Sequence, residues 1–449
     1  MSADKRALLR QRLANGEINL QPLTFPQREL WEASPVPAGD AANHICCLIQ
    51  VRGAITPHDC EAAIERVVQR QEALRISFLP GKDRPVQMIR KDAPASFRGR
   101  ELSSGQRTPE AIEELAREIF SQPFDLVQGP LYRVELLSRA ADDHVLVFAI
   151  HHAIADGWTL GVFVQDLVVA YMLGTRGVRE ALPPVPLSYT AWGAAERAFW
   201  QPAELERRAA FWKKNLAGSE RLWSELEGPG TASGAHCRRV AYFPAELADA
   251  ARELARRHGA TLFSTLLTAF QIALSQWTGG DDIVVGTPVA NRSKEAARET
   301  MGYFAGIVPL RARVGRDRPF AASLREVHQN AVEAFANAMP FAELARALGD
   351  APSPGHNPAF EVRFALQNHP IPDVAMPGLS AKLRVRSTGT ARFHLACEIT
   401  EEGGRLEVVW LFRPNLFPAE EIENLGRLFE AVLAGAGRLP ESRVAALQT

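Results

Sequence analysis

Short β-branched runs alternate with segments whose apolar residues recur at helical spacing. Asn43–Arg52 (NHICCLIQVR) reads as a strand. Pro57–Gln71 places Ala62, Ala63, Val67 and Val68 at helical spacing, with Pro57 near the start of a helix. Leu74–Phe78 and Val86–Arg90 read as strands on either side of a turn at Pro80–Pro85, and Thr108–Ser121 as an amphipathic helix. Leu131–Leu137 and His144–Ile150 are strands joined by the polar turn Ser138–Asp143, and Leu160–Leu173 is apolar enough to be a largely buried helix.

Gly174–Ser188, with Pro183, Pro184 and Pro186, is the best linker candidate. After it the order restarts. Helices are predicted over Tyr189–Phe199, Ala203–Asn215, Ala245–His258, Leu262–Trp277 and Ala419–Ala434, and Phe320–Ala336 is a further regular element whose type the pattern leaves open. Strands are predicted over Cys237–Phe243, Asp282–Gly286, Phe360–Gln367, His394–Glu401 and Arg405–Phe412. The expectation is a mixed α/β protein of two lobes, residues 1–178 and 179–449.

Composition narrows the classes. Lys plus Arg is 51 and Asp plus Glu 52, without the basic excess of a protein that lives on phosphate backbones. No unbroken apolar run reaches the ~18 residues of a membrane span, and the N-terminus has no secretory pattern. Five cysteines (Cys46, Cys47, Cys60, Cys237, Cys397) lack C-x-x-C spacing, which argues against a disulfide framework and for a reducing, cytoplasmic setting.

The chemistry concentrates in Phe148–Leu160 (FAIHHAIADGWTL), where a strand ends in paired histidines and Asp156-Gly157 opens a helix. A histidine exchanges protons near neutral pH, and a strand end at a lobe boundary exposes it to a cleft. Adjacent strand residues face opposite ways, so at most one of His151 and His152 serves a given site. A core role for the histidines remains the plain alternative. A metal site fits poorly, because no third nitrogen or sulfur ligand lies nearby in sequence.

The residues His151, His152, Asp156 and Gly157 match H-H-x-x-x-D-G, and the chain resembles a condensation domain of nonribosomal peptide synthetases, within the chloramphenicol-acetyltransferase-like superfamily. Other segments follow in family order. Leu23–Trp31 (LTFPQRELW) resembles the N-terminal element. Arg70–Phe78 (RQEALRISF) resembles R-H-E-x-L-R-x-x-F, with Gln71 for His. Leu187–Trp192 resembles Y-x-D-Y-A-x-W without its acidic residue. Asp282–Arg292 (DIVVGTPVANR) matches D-x-x-x-G-x-P-x-A-x-R. Met301–Arg311 is similar to G-x-F-x-N-x-x-x-x-R, with Ala305 or Gly306 where Asn is common. Met339–Glu343 and His356–Pro358 resemble two later elements.

The resemblance implies two acetyltransferase-like lobes in a V around a central tunnel, with crossover segments near 281–311 and 355–385. It implies attack of an amine or hydroxyl on a carrier-bound acyl thioester, giving an amide or ester without an acyl-enzyme. His152 would face the tunnel centre, as general base or as a group that positions the nucleophile and stabilises the oxyanion with the Gly157 N–H. His151 would be structural, and Asp156 would pair with Arg75. Trp158, Thr159, Asn357, Gln367 and Asn368 are the tunnel candidates, and Arg292 reads as structural. No cofactor would be bound by the enzyme itself, since the phosphopantetheine arm comes with the acyl or peptidyl carrier protein. The acceptor would be a small molecule or carrier-bound. The expected protein is a free-standing monomer acting in trans, with chain release among its candidate roles and no metal, nucleic acid or membrane. The competing readings are an acyl-CoA-dependent acyltransferase and a non-catalytic recruitment domain.

Overall fold

The structure, a computed structural model, describes residues 3–32, 41–82, 84–178, 180–223, 237–349, 359–367, 374–376, 379–386 and 393–447. The first half runs α1 (Ala3–Ala14), β1 (Ile18–Pro22), α2 (Phe25–Glu32), β2 (His44–Arg52), α3 (Pro57–Arg70), β3 (Ile76–Leu79), β4 (Val86–Arg90), β5 (Phe97–Glu101), α4 (Pro109–Ser121), β6 (Tyr132–Ala140), β7 (Asp143–His151) and α5 (Gly157–Thr175). The second runs α6 (Tyr189–Phe199), α7 (Pro202–Asn215), β8 (Cys237–Phe243), α8 (Ala245–Arg257), α9 (Leu262–Thr278), β9 (Asp282–Val289), β10 (Gly306–Arg313), α10 (Phe320–Ala336), α11 (Phe341–Leu348), β11 (Val362–Gln367), β12 (Val374–Met376), β13 (Leu379–Arg386), β14 (Leu395–Glu402), β15 (Arg405–Phe412) and α12 (Ala419–Arg438).

Helix starts follow local chemistry. Thr56, Thr108, Ser188 and Thr261 each accept a hydrogen bond from a backbone N–H of the first turn, and Pro57 and Pro109 occupy first-turn positions where no intrahelical donor is lost.

The first large sheet has the order β12-β13-β2-β7-β6-β5, antiparallel except for the β5–β6 pair. Its central strands β2 and β7 are apolar on both faces because helices cover both. Cys47 and Ile49 of β2 with Leu146, Phe148 and Ile150 of β7 pack in the core with α3 and α5. The alternating residues Cys46, Leu48, Val145, Val147 and Ala149 pack with Ile112, Ala116, Ile119 and Phe120 of α4. This two-sided burial explains why β7 reads as a continuous apolar run. The second large sheet, β10-β9-β11-β14-β15-β8, is parallel at β9–β11 and β11–β14 and antiparallel elsewhere. Residues of α8, α9, α10 and α12 complete its core. A small sheet, β1-β4-β3, flanks the first.

The two halves interlock. Strand β13 pairs antiparallel with β2, Ser380 opposite Arg52 and Arg386 opposite Cys46, so the second half supplies the outer strands of the first sheet. Tyr189, Trp192, Met301, Tyr303 and Phe304 are also buried in the first core. Helix α5 is long and apolar enough to cross a membrane by length and composition, although the sequence suggested only a shorter helix. It packs on α3, and its Phe163 stacks on Phe148 with ring centroids 3.9 Å apart.

Candidate active site

Strand β7 ends at His151, and a single 3-10 turn, His152–Ile154, follows before Asp156 opens α5. The two histidines have different surroundings, because the strand ends between them. The His151 ring lies 5.8 Å from that of His44, its partner across β2, and 6.2 Å from that of Phe124. Its Nδ1 accepts the Ala153 N–H at 3.1 Å. Burial, then the neighbouring His44 and His152, drives the His151 pKa down to about 3, so His151 is neutral at physiological pH and carries its ring proton on Nε2. His152 is half-buried, and its ring meets that of Tyr303 edge-on at 4.4 Å.

Asp156 closes the other end of the motif. Its carboxylate caps α5 by accepting the Thr159 N–H at 3.1 Å, while the Thr159 hydroxyl accepts the Asp156 N–H at 3.3 Å. Arg292 donates to both carboxylate oxygens, at 3.0 and 3.1 Å, and the Phe304 N–H donates to one of them at 3.1 Å. Arg292 also donates to the carbonyls of Ala297 and Thr300 and lies over the Phe304 ring at 3.8 Å. Burial pulls the Arg292 pKa down, and the charge and hydrogen bonds of Asp156 offset part of that effect. The buried ion pair therefore has hydrogen bonds at both ends, the condition under which such a pair is tolerated.

The expected Asp156–Arg75 pair does not form. Arg75 donates to the backbone carbonyls of Val68, Arg90 and Lys91, so it braces the join between α3, β3 and β4. The 3-10 turn Glu72–Arg75 directs its guanidinium to those carbonyls. Arg292, at the end of the D-x-x-x-G-x-P-x-A-x-R element, is the actual partner.

Two tunnel candidates are also engaged elsewhere. Thr159 is fully buried, and its hydroxyl is within hydrogen-bond distance of both Gly302 backbone polar atoms. Trp158 donates through Nε1 to the Arg298 carbonyl at 2.9 Å. Both residues bind α5 to the segment between β9 and β10. Gln367 lies on β11 of the second sheet, where its amide donates to Glu398 at 3.4 Å. Asn357 and Asn368 lie outside the described residues, as do His356 and Pro358.

Of the other matched segments, Arg70–Phe78 ties the first half to α5 and to the β9–β10 segment, whereas Asp282 and Gly286 serve the second sheet. Arg70 and Gln71 donate to Asp166 of α5 and also reach Glu299, and Gln71 accepts the Met301 N–H. Glu72 accepts from the backbone and hydroxyl of Thr190. Asp282 holds Arg311 at 2.8 and 2.5 Å. At Gly286 a Cβ would fall 2.0 Å from the Phe360 ring, so only glycine fits. Sequence reasoning missed Tyr303, which touches His152, because it occupies a variable place between Gly302 and Phe304. Among the described residues, no three His, Cys, Asp or Glu side chains gather as a metal site.

Two sheets joined by an exchanged strand pair, with a paired-histidine loop held against the second half, define a two-lobed transferase-type fold. The chain belongs to the condensation-domain family, whose model matches residues 17–449. It is 30% identical over 429 residues to a linear gramicidin synthase of Brevibacillus parabrevis, covering 92% of this chain and 8% of that one. It is 29% identical to phosphinothricin tripeptide synthetase PhsC of Streptomyces viridochromogenes, covering 95% and 40%. The chain thus spans less than half of these relatives. The SgcC5 protein of Streptomyces globisporus has the same fold, with TM-score 0.78, 24% identity, and 94% and 100% coverage.

Proposed function

We propose that the chain is an acyltransferase that joins a carrier-bound acyl thioester to an amine or hydroxyl acceptor, with His152 as the catalytic histidine. The acceptor nitrogen or oxygen attacks the thioester carbonyl, the C–S bond breaks, and the pantetheine thiol leaves with the proton the acceptor gives up. His152 takes that proton from the acceptor, or holds the acceptor in line while the proton passes on. The Gly157 N–H, at the N-terminus of α5, is the donor suited to the oxyanion. A hydroxyl acceptor needs a base at the moment of attack, whereas an amine needs mainly orientation and a later proton acceptor. The observation that carries this reading is the half-buried His152 held at the edge of a rigid loop within a condensation-domain fold.

Action in trans, on an acyl group carried by a separate carrier protein, is part of this proposal. Chain release is the step that a free acceptor would suit. The test offers acyl groups on a carrier protein to wild type and His152→Ala, with amine and hydroxyl acceptors, and reads products by mass. Transfer that falls by ~10²–10⁴-fold in the variant is expected. A steeper loss with the hydroxyl marks a general base. Transfer from acyl-CoA but not from carrier would favour the simpler acyltransferase, and no transfer from either would favour a recruitment domain.

A further inference from the structure

The turn that presents His152 is closed by the Ala155 N–H, which donates to the His152 carbonyl at 3.3 Å, and is held from outside at Ala153, which has no solvent exposure. Its N–H donates to His151 Nδ1 at 3.1 Å. Its carbonyl accepts from the side-chain amide of Gln27 at 3.0 Å, although Gln27 sits on α2, far away in sequence. Gln27 is itself fully buried and committed at every polar atom. Its Nε2 also donates to Gln87 Oε1 at 3.0 Å, and its Oε1 accepts the Thr24 N–H at 3.0 Å. Gln87 in turn donates to the Pro22 carbonyl at 2.8 Å. Helix α2 packs directly on the His152–Ile154 turn.

We infer that Gln27 is a positioning residue for His152, acting through the Ala153 carbonyl. This rests on the proposed catalytic role of His152. The peptide after His152 is held at both ends, its N–H by His151 Nδ1 and its carbonyl by the Ala155 N–H at 3.3 Å, and the next peptide, which carries the Ala153 carbonyl, fixes the Ala153 ψ and so the direction in which the chain leaves His152. His151 holds the amide of Ala153, and strand β7 dictates that bond. Gln27 supplies the side-chain hold on the Ala153 carbonyl, from an element outside the motif. Without it the carbonyl is a buried acceptor that has lost this donor, and the turn relaxes to find another. A displacement of about 1 Å at a catalytic group can cost ~100-fold in rate while leaving substrate binding intact.

The experiment compares Gln27→Met with Gln271→Met, which removes another fully buried glutamine amide, one that donates to the Leu310 carbonyl in the second lobe. Two readouts are taken on each folded variant: kcat and KM for carrier-to-acceptor transfer, and the NMR titration of the His152 imidazole without substrate. We expect Gln27→Met to lower kcat by roughly 10–100-fold with KM within about 3-fold, and to move the His152 resonance. Gln271→Met should do neither. Should Gln27→Met not fold, Gln27→Glu keeps the shape and the acceptor for Thr24 but, once ionised, has no proton to give to Ala153 or to Gln87, so its loss relative to wild type should deepen as pH rises. Both Gln27 variants matching Gln271→Met in kcat and resonance would overturn the inference. A moved resonance in a protein whose turnover is indifferent to His152→Ala would leave Gln27 as the positioning residue and overturn the catalytic role of His152.

Discussion

Arg292 and Asp156 meet through both carboxylate oxygens in the interior, joining the first turn of α5 to the segment that leads from β9 into β10. The pair ties the histidine loop to the second half of the chain. Leaving either charge alone should cost about 3–5 kcal/mol. Chemical denaturation of Asp156→Ala, Arg292→Met and the double variant should give a coupling of about 0.5–3 kcal/mol. The same cycle with Arg75→Met should be additive within ~0.5 kcal/mol, because Arg75 braces a different junction.

Stability should depend on pH through His151. Its folded pKa, about 3, lies below the ordinary value of 6.5. The unfolded chain therefore binds more protons between those values, and stability falls as pH drops through that window, by up to ~1.4 kcal/mol per pH unit. Urea titrations from pH 7 to pH 4 should show this slope, and His151→Asn should flatten it.

Glu196 should act in the opposite sense. Burial raises its pKa to about 8, against the Phe25 N–H and the charges of Arg197 and Arg28, which pull it down. The folded state then holds the proton that the unfolded chain has lost, so stability falls as pH rises from 4.5 toward 8. Thermal melts should show Glu196→Gln gaining on wild type at pH 8 and little difference at pH 5.

Gly302 has no room for a side chain. A Cβ there would lie 2.3 Å from the Tyr189 ring, and Tyr189 is fully buried, its hydroxyl donating to the Tyr303 carbonyl. Gly302→Ala should destabilise by about 1–3 kcal/mol. Transfer activity should fall more than stability alone accounts for, because the shift reaches Tyr303 and through it His152.

Most regular elements are legible because each carries one strong local cue. Tyr189–Phe199, Cys237–Phe243 and Arg405–Phe412 match the structure end to end. Strand β10 does not read as one, because Pro309 breaks the pattern, and the sheet accommodates it at an edge where β9 is its neighbour. Strand β13 escapes the sequence pattern because its partner, β2, comes from the other end of the chain. The pairing of His152 with Tyr303 and of Asp156 with Arg292 is invisible for the same reason: spacing along the sequence says nothing about which distant loop folds back. The choice of Arg75 follows the family resemblance of its segment, whereas the structure uses Arg292, on the far side of the linker.

The exchanged strands β12 and β13 have a consequence for biogenesis. As the chain emerges from the ribosome, β2 stays an open edge until residues near Ser380 have been made, and an uncovered strand of this apolar character recruits other strands. The first sheet is therefore complete only once β13 has been made. A cut in the linker would yield two sticky halves, and mixing them should restore a lobe only when β13 is present to seal it.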